Sequence, residues 1–150
     1  MKLNVISVGK ERGGLFGAAV EEYAARLGRF AELKLTELRA ETGPQAVERE
    51  ADGILAAQAK SKSELWAMDL RGVQLTSEEL AARVGKLRDS ARDLSLCIGG
   101  DEGLSPRVLA ASSFRLSLGK LTLPHRLARV IVLEQLYRAF EILRGGPYHK

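Results

Sequence analysis

The chain has 150 residues, the length of one domain, and a domain this size buries roughly 68–70% of its unfolded surface, so no covalent staple is needed. Its single cysteine, Cys97, excludes an internal disulfide and suits a reducing compartment; no apolar run reaches membrane-spanning length, and the first residues lack the basic start and cleavage site of a signal peptide. The expectation is a soluble cytoplasmic protein whose net charge of +4, doubled in a twofold dimer, favours a polyanionic partner without separating RNA binding from plain solubility.

Residues 3–8 form an apolar-rich strand ended by Gly9, and a loop carrying Lys10 and Arg12 follows. Phe16, Val20, Tyr23 and Leu27 then recur at helical spacing, with Gly28 closing the helix. Residues 33–38 alternate apolar and polar side chains, the pattern of a more exposed strand near a sheet edge. After a loop ending at Pro44, helical period returns over 46–60, and 64–70 reads as the next strand. Thr76 with Glu79 three residues on makes a capping box and starts a helix that runs to about Arg88. The next strand, 94–98, is followed by Ser105 as a cap with Pro106 at the first helical position. Strands and helices alternate throughout, which predicts an α/β fold: one domain, 1–150, with a mainly parallel sheet and helices on both faces.

The stretch from 93 to 137 organises the rest. A short apolar run ends in Gly99-Gly100-Asp101-Glu102-Gly103, and a second, 114–118, ends at Gly119 and passes through Lys120-Leu121-Thr122-Leu123-Pro124-His125 into a long helix. Glycines after a strand let backbone approach a ligand, and parallel sheets bind ligands beyond the carboxyl ends of their strands. Two such loops together describe a cofactor pocket, although each glycine alone is equally a turn residue. The helix, 124–143, is apolar around most of its circumference, from Leu127 and Val130 to Phe140 and Leu143. A helix like this is buried on more than one side, and a second copy of the chain supplies the second side most economically, so a twofold dimer through this helix is expected, the alternative being a central helix of a monomer's core. Glu134, Arg138 and Glu141 form its polar strip.

Several familiar motifs are absent. The first strand ends in Gly9-Lys10-Glu11-Arg12-Gly13-Gly14, which has the wrong spacing for a dinucleotide fingerprint and lacks the Lys and Ser/Thr of a phosphate loop. There is no Gly-x-Ser-x-Gly, and His125, His149 and Cys97 are too scattered for a zinc site, so no metal is expected. Cys97 lies inside an apolar strand and reads as core.

Ile98-Gly99-Gly100 with Glu102-Gly103, Leu121-Thr122-Leu123-Pro124-His125 with Arg129-Val130, Glu134-Gln135-Leu136-Tyr137-Arg138-Ala139-Phe140, and Pro147-Tyr148-His149-Lys150 occur in this order. Met1-Lys2-Leu3, Val8-Gly9-Lys10, Glu22-Tyr23 and Arg26-Leu27 precede them. In these motifs, which span the whole length, the chain resembles the RlmH family of ribosomal RNA methyltransferases in the SPOUT superfamily. It departs at Met68, where that family usually has Leu. The resemblance implies a sheet whose C-terminal segment is threaded into a trefoil knot, which periodicity could not reveal and which base rates oppose. It implies a homodimer that binds S-adenosylmethionine in the knot and methylates N3 of a pseudouridine in 23S rRNA of assembled ribosomes. By position, the cofactor contacts fall on Met68, Gly99, Leu118, Gly119, Lys120, Leu121, Thr122 and Leu123.

Those positions suit the chemistry: an apolar slot takes adenine while bare backbone reads its edge. N3 of the pyrimidine is mostly protonated near neutral pH, so transfer requires a proton acceptor or a group that steadies the developing anion. On the resemblance, His149 accepts the proton, Tyr148 stacks on or bonds to the base, Arg138 holds phosphate or negative charge, and Glu134 orients Arg138. The tail carrying Tyr148 and His149 would reach the partner's cofactor pocket. Lys10, Arg12, Arg126, Arg129, Arg144 and Lys150 are candidates for phosphate contact. Two other classes stay open: a non-catalytic basic RNA-binding or ribosome-assembly dimer, and a different small-molecule α/β enzyme using the same loops.

Overall fold

The structure, a computed structural model, describes residues 1–10 and 14–149. Arg12 and Lys150, two of the basic residues proposed above, lie outside them. In chain order the elements are β1 (Lys2–Val8), α1 (Gly17–Leu27), β2 (Glu32–Leu38), α2 (Ala46–Ser61), β3 (Glu64–Gln74), α3 (Ser77–Asp89), β4 (Leu94–Ile98), α4 (Pro106–Ala111), β5 (Phe114–Ser117) and α5 (His125–Leu143). The strands form one parallel sheet in the order β2-β1-β4-β3-β5. The α/β reading holds, and β2, with its alternating pattern, is an edge strand as expected.

Period-two alternation sorts the strand side chains onto two layers. Leu3 and Val5 of β1, Trp66 of β3, and Leu94, Leu96 and Ile98 of β4 face one side, where they pack with Val20 and Leu27 of α1, Leu80, Val84 and Leu87 of α3, and Val132, Leu133, Leu136 and Phe140 of α5. Ile6, Val8, Leu65, Ala67 and Cys97 face the other side and meet Ala51 and Ile54 of α2 and Val108 of α4. Cys97 is fully buried in that second layer, and burial pushes its thiol up to about 12, so it is held neutral as a core residue.

Local signals explain where the helices start. Thr76 accepts from Glu79 N, and Glu79 accepts from Thr76 N at 2.7 Å, completing the capping box at α3. Ser105, with Pro106 behind it, caps α4 by accepting from Arg107 N at 3.1 Å. Gly28 ends α1 differently from expectation: its φ of −60° is right-handed, so any L-residue could take that conformation, and the end is made instead by bonds from its N–H to Ala24 and Arg26 carbonyls.

The largest departure is in β3. It does not stop at residue 70 but runs to Gln74, with a bulge: Met68 and Val73 both pair with Leu116 of β5, so the residues between them are looped out. Gly72 makes this possible, because a Cβ there would lie 2.7 Å from the Arg115 carbonyl oxygen. The Arg71 N–H donates to Asp69 Oδ1 at 3.1 Å and closes the excursion.

α5 lies between α1 and α3 on the first layer. Its polar strip is not a solvated face, since Glu141 is 2% exposed and accepts two bonds from Arg144. No helix among the described residues is long and apolar enough to cross a membrane. Leu133 is fully buried where α5 meets the sheet layer, so Leu133→Ala is expected to lower unfolding free energy by about 2–5 kcal/mol in a denaturant titration.

Candidate functional site

All strands run the same way, so the loops after β1, β3, β4 and β5 emerge on one edge of the sheet. The chain leaves β5 at one end of the sheet. By His125 it stands against Gly9 at the end of β1, and Arg129 then donates from Nη1 to Glu37 of β2, the opposite edge strand. Residues 118–124 therefore traverse the carboxyl ends of the strands. Beneath that crossing is a cavity of about 640 Å³, within the range typical of small-molecule sites.

The cavity has an apolar body and a polar rim. Met68, Ile98, Leu116, Leu118 and Leu123 supply hydrocarbon, while Asp69, Asp101, Thr122, His125 and Arg126 add polar groups. One wall is nearly bare backbone. A Cβ on Gly99 would come within 2.6 Å of Gly103 C and 2.7 Å of its oxygen, so the β4–α4 loop can fold back on itself only with glycine at 99. Gly103 stands at φ +77° and Gly119 at φ +144°, conformations that favour glycine. Ser117, 4% exposed, ties the turn after β5: its hydroxyl donates to Gly119 O at 2.9 Å and accepts from Gly119 N at 3.2 Å.

Of the eight cofactor residues expected from sequence, Met68, Gly99, Leu118, Gly119, Leu121, Thr122 and Leu123 line this cavity. Lys120 does not; it is exposed on the crossing segment, its ammonium drawn to water. Leu121 lines the cavity and is 81% exposed, which places it at the rim. Sequence reasoning missed Asp69, Asp101, Ser117 and His125 as parts of the site. For His125, its place at the end of the glycine-led loop 119–125 is the readable signal.

Glu134, Arg138 and Tyr148 come together elsewhere. Arg138 donates to Glu134 Oε1 from Nε at 3.0 Å and also from Nη2, and Tyr148 donates to the same oxygen at 3.0 Å. The Arg138 guanidinium sits 4.6 Å from the Tyr148 ring centroid, and that ring meets Tyr137 edge-on. The hydrogen bond to Glu134 raises the Arg138 pKa above its ordinary value. Burial, then hydrogen bonding to Tyr23 and Glu134, raises that of Tyr148, so the phenol stays a donor. Gln135 donates to Glu134 Oε2 at 2.7 Å and accepts from Ser77, linking this cluster to the start of α3. His149 stands apart from these three, with Nε2 2.8 Å from Glu78 Oε1. None of the four expected catalytic residues lines the cavity of its own chain.

The basic candidates separate too. Lys10 and Arg126 are exposed, and Arg144 is half free while bonded to Glu141. Arg129 is not available to phosphate: it is 4% exposed and spent on Glu37, because it lies on the face of α5 turned towards β2. Among the described residues, no group of three or more His, Cys, Asp or Glu is placed to hold a metal ion.

Comparison with known proteins agrees with this architecture. Residues 1–149 match the family described as "Predicted SPOUT methyltransferase". A ribosomal RNA large subunit methyltransferase H from Anaeromyxobacter sp. (strain K) is 44% identical over 153 residues, with all of both chains covered. Among solved structures, a probable methylase family protein from Haemophilus influenzae Rd KW20 superposes with a TM-score of 0.60 at 12% identity, covering 99% of this chain and 70% of that one. The SpoU methyltransferase AviRb from Streptomyces viridochromogenes, solved with the cofactor AdoMet, gives 0.52 at 16%, covering 95% and 58%. At those identities the structural likeness concerns the fold alone. The full-length match at 44% identity extends further, and the chain belongs to the SPOUT methyltransferases, within the family of ribosomal RNA large subunit methyltransferase H.

Proposed function

We propose that this chain is an S-adenosylmethionine-dependent methyltransferase that modifies N3 of a pseudouridine in 23S rRNA of the assembled large ribosomal subunit. The observation that carries the reading is the glycine-walled cavity under residues 118–124, in a chain matched end to end by ribosomal RNA methyltransferases. The cavity suits the cofactor: it has an apolar body for a purine, and at Gly99 and Gly103 backbone replaces side chains. On this reading the crossing of 118–124 is the threaded part of a trefoil knot, and residues 1–150 act in the cytoplasm as one domain.

The cofactor, when bound, supplies a methyl carbon already activated on a sulfonium, so the work left to the protein is alignment and proton removal. Met68, Leu118, Leu121 and Leu123 hold the flat ring, and the backbone of Gly99, Gly119, Lys120 and Thr122 reads its polar edge.

The acceptor side is built by a second copy of the chain. The half-buried residues Leu127, Ile131, Glu134 and Arg138 fall at i, i+4, i+7 and i+11 along α5, one continuous stripe. Packing of two such stripes brings one subunit's tail to the other's cavity, which accounts for catalytic candidates that line no cavity of their own. In that composite site His149 accepts the N3 proton, Tyr148 holds the pyrimidine, and Arg138, oriented by Glu134, steadies the negative charge that develops on it. Lys10, Arg126 and Arg144, with Arg12 and Lys150 from outside the described residues, position phosphates.

Two measurements check this reading. Gly99→Ala forces a Cβ into the Gly103 backbone, so calorimetry is expected to find S-adenosylmethionine binding in the unaltered chain and at least a tenfold loss in the variant; equal affinity would remove the glycine wall from the site. On ribosomes lacking the modification, the dimer is expected to transfer methyl groups, with His149→Ala lowering kcat by about 10²–10⁴ while cofactor affinity stays unchanged. Unchanged turnover takes His149 out of the chemistry, and a chain that binds ribosomes but neither cofactor nor methyl is a non-catalytic factor.

A further inference from the structure

Asp101 and His125 both line the cavity under residues 118–124. Asp101 belongs to the glycine loop after β4; His125 is the first residue of α5, where the crossing segment ends. His125 Nδ1 lies 3.1 Å from Asp101 Oδ1, joining the two walls directly. The other ring nitrogen is turned to a third segment: a Cβ on Gly9, at φ +94°, would stand 3.3 Å from His125 Nε2. The imidazole thus touches the β4 loop at one nitrogen and the β1 loop at the other.

The exposures place this bond at the rim. Asp101 is 92% exposed and His125 26% exposed, so the pair contributes little to the floor or to the core. An exposed pair of this kind is weak and opens thermally, the property required of a contact that a ligand must pass.

We infer that the Asp101–His125 bond is a clasp across the mouth of the cofactor cavity, which sets how long a bound S-adenosylmethionine is retained. The inference rests on the cofactor reading above. His125 acts here as a positioning residue: with Nδ1 engaged by Asp101, the ring holds the start of α5, and with it residues 118–124, against the glycine loop. Removing either partner breaks this contact between the two loops.

The test is a chase: protein loaded with radiolabelled S-adenosylmethionine is mixed with excess unlabelled cofactor, and release is followed in the unaltered chain, Asp101→Ala, His125→Ala and the double variant. Each single variant is expected to release cofactor about three- to tenfold faster, the size of effect one weak hydrogen bond gives. The double variant is expected to be no faster than the singles, because both remove the same contact. Melting temperature without cofactor should stay at the unaltered value, at least for Asp101→Ala, since the Asp101 side chain stands in water. Unchanged release rates, additive effects, or faster release only with a lowered melting temperature overturn the clasp. If the unaltered chain retains no cofactor, the reading beneath it falls as well; if it retains cofactor and the variants match it, only the clasp fails.

Discussion

The approach of Gly99 to the Gly103 carbonyl is the contact on which the site depends. It folds the loop after β4 into a flat wall and leaves room for a segment to cross above it. Any side chain at 99 would push that wall outward into the space under residues 118–124. The other walls are more tolerant: Leu118, Leu121 and Leu123 are hydrocarbon surfaces for which similar volumes would serve. The glycine loop is held from behind by α2. Ser105, 1% exposed, donates to Glu48 at 2.7 Å while capping α4, and Glu50 accepts from Glu41 N at 3.0 Å beside Gly100. A wall of bare backbone thus has a partly buried polar layer behind it.

Much of the fold was legible because local signals coincide with the global pattern. The capping box at Thr76, the Ser105-Pro106 start of α4, and the clean run 94–98 each named an element within a residue or two. Polar alternation placed β2 at the edge for the right reason. The bulge in β3 was not legible. Residues 69–74 carry charged and polar groups at loop frequency, and only Gly72 hinted that the strand resumes beyond a loop-out. Nor could periodicity tell that 118–124 would cross the whole sheet edge. That crossing is fixed by contacts of long range, His125 with Gly9 and Arg129 with Glu37, which leave no mark on local sequence.

The site divided in the same way. The glycines that line the cavity were readable from their place after strands, whereas the tail residues rest on the family resemblance and stand apart from the cavity of their own chain. The split between them was not, since sequence order puts Glu134 and Tyr148 soon after the crossing segment while the fold sends α5 away from it, down between α1 and α3. Arg129 shows the converse error. On paper it is a basic residue near a loop, but one turn into α5 the helix faces β2 and buries it against Glu37. Helical phase, and not charge, decided which arginines meet solvent.

The two margins of the sheet have a bearing on how copies of this chain can meet. β2 alternates Glu32 and Lys34 with its leucines, both of them exposed, and β5 offers only four residues of unpaired backbone. Charged, short margins of this sort resist the lateral addition of a foreign strand. Sideways growth into fibrils is thereby discouraged at both rims.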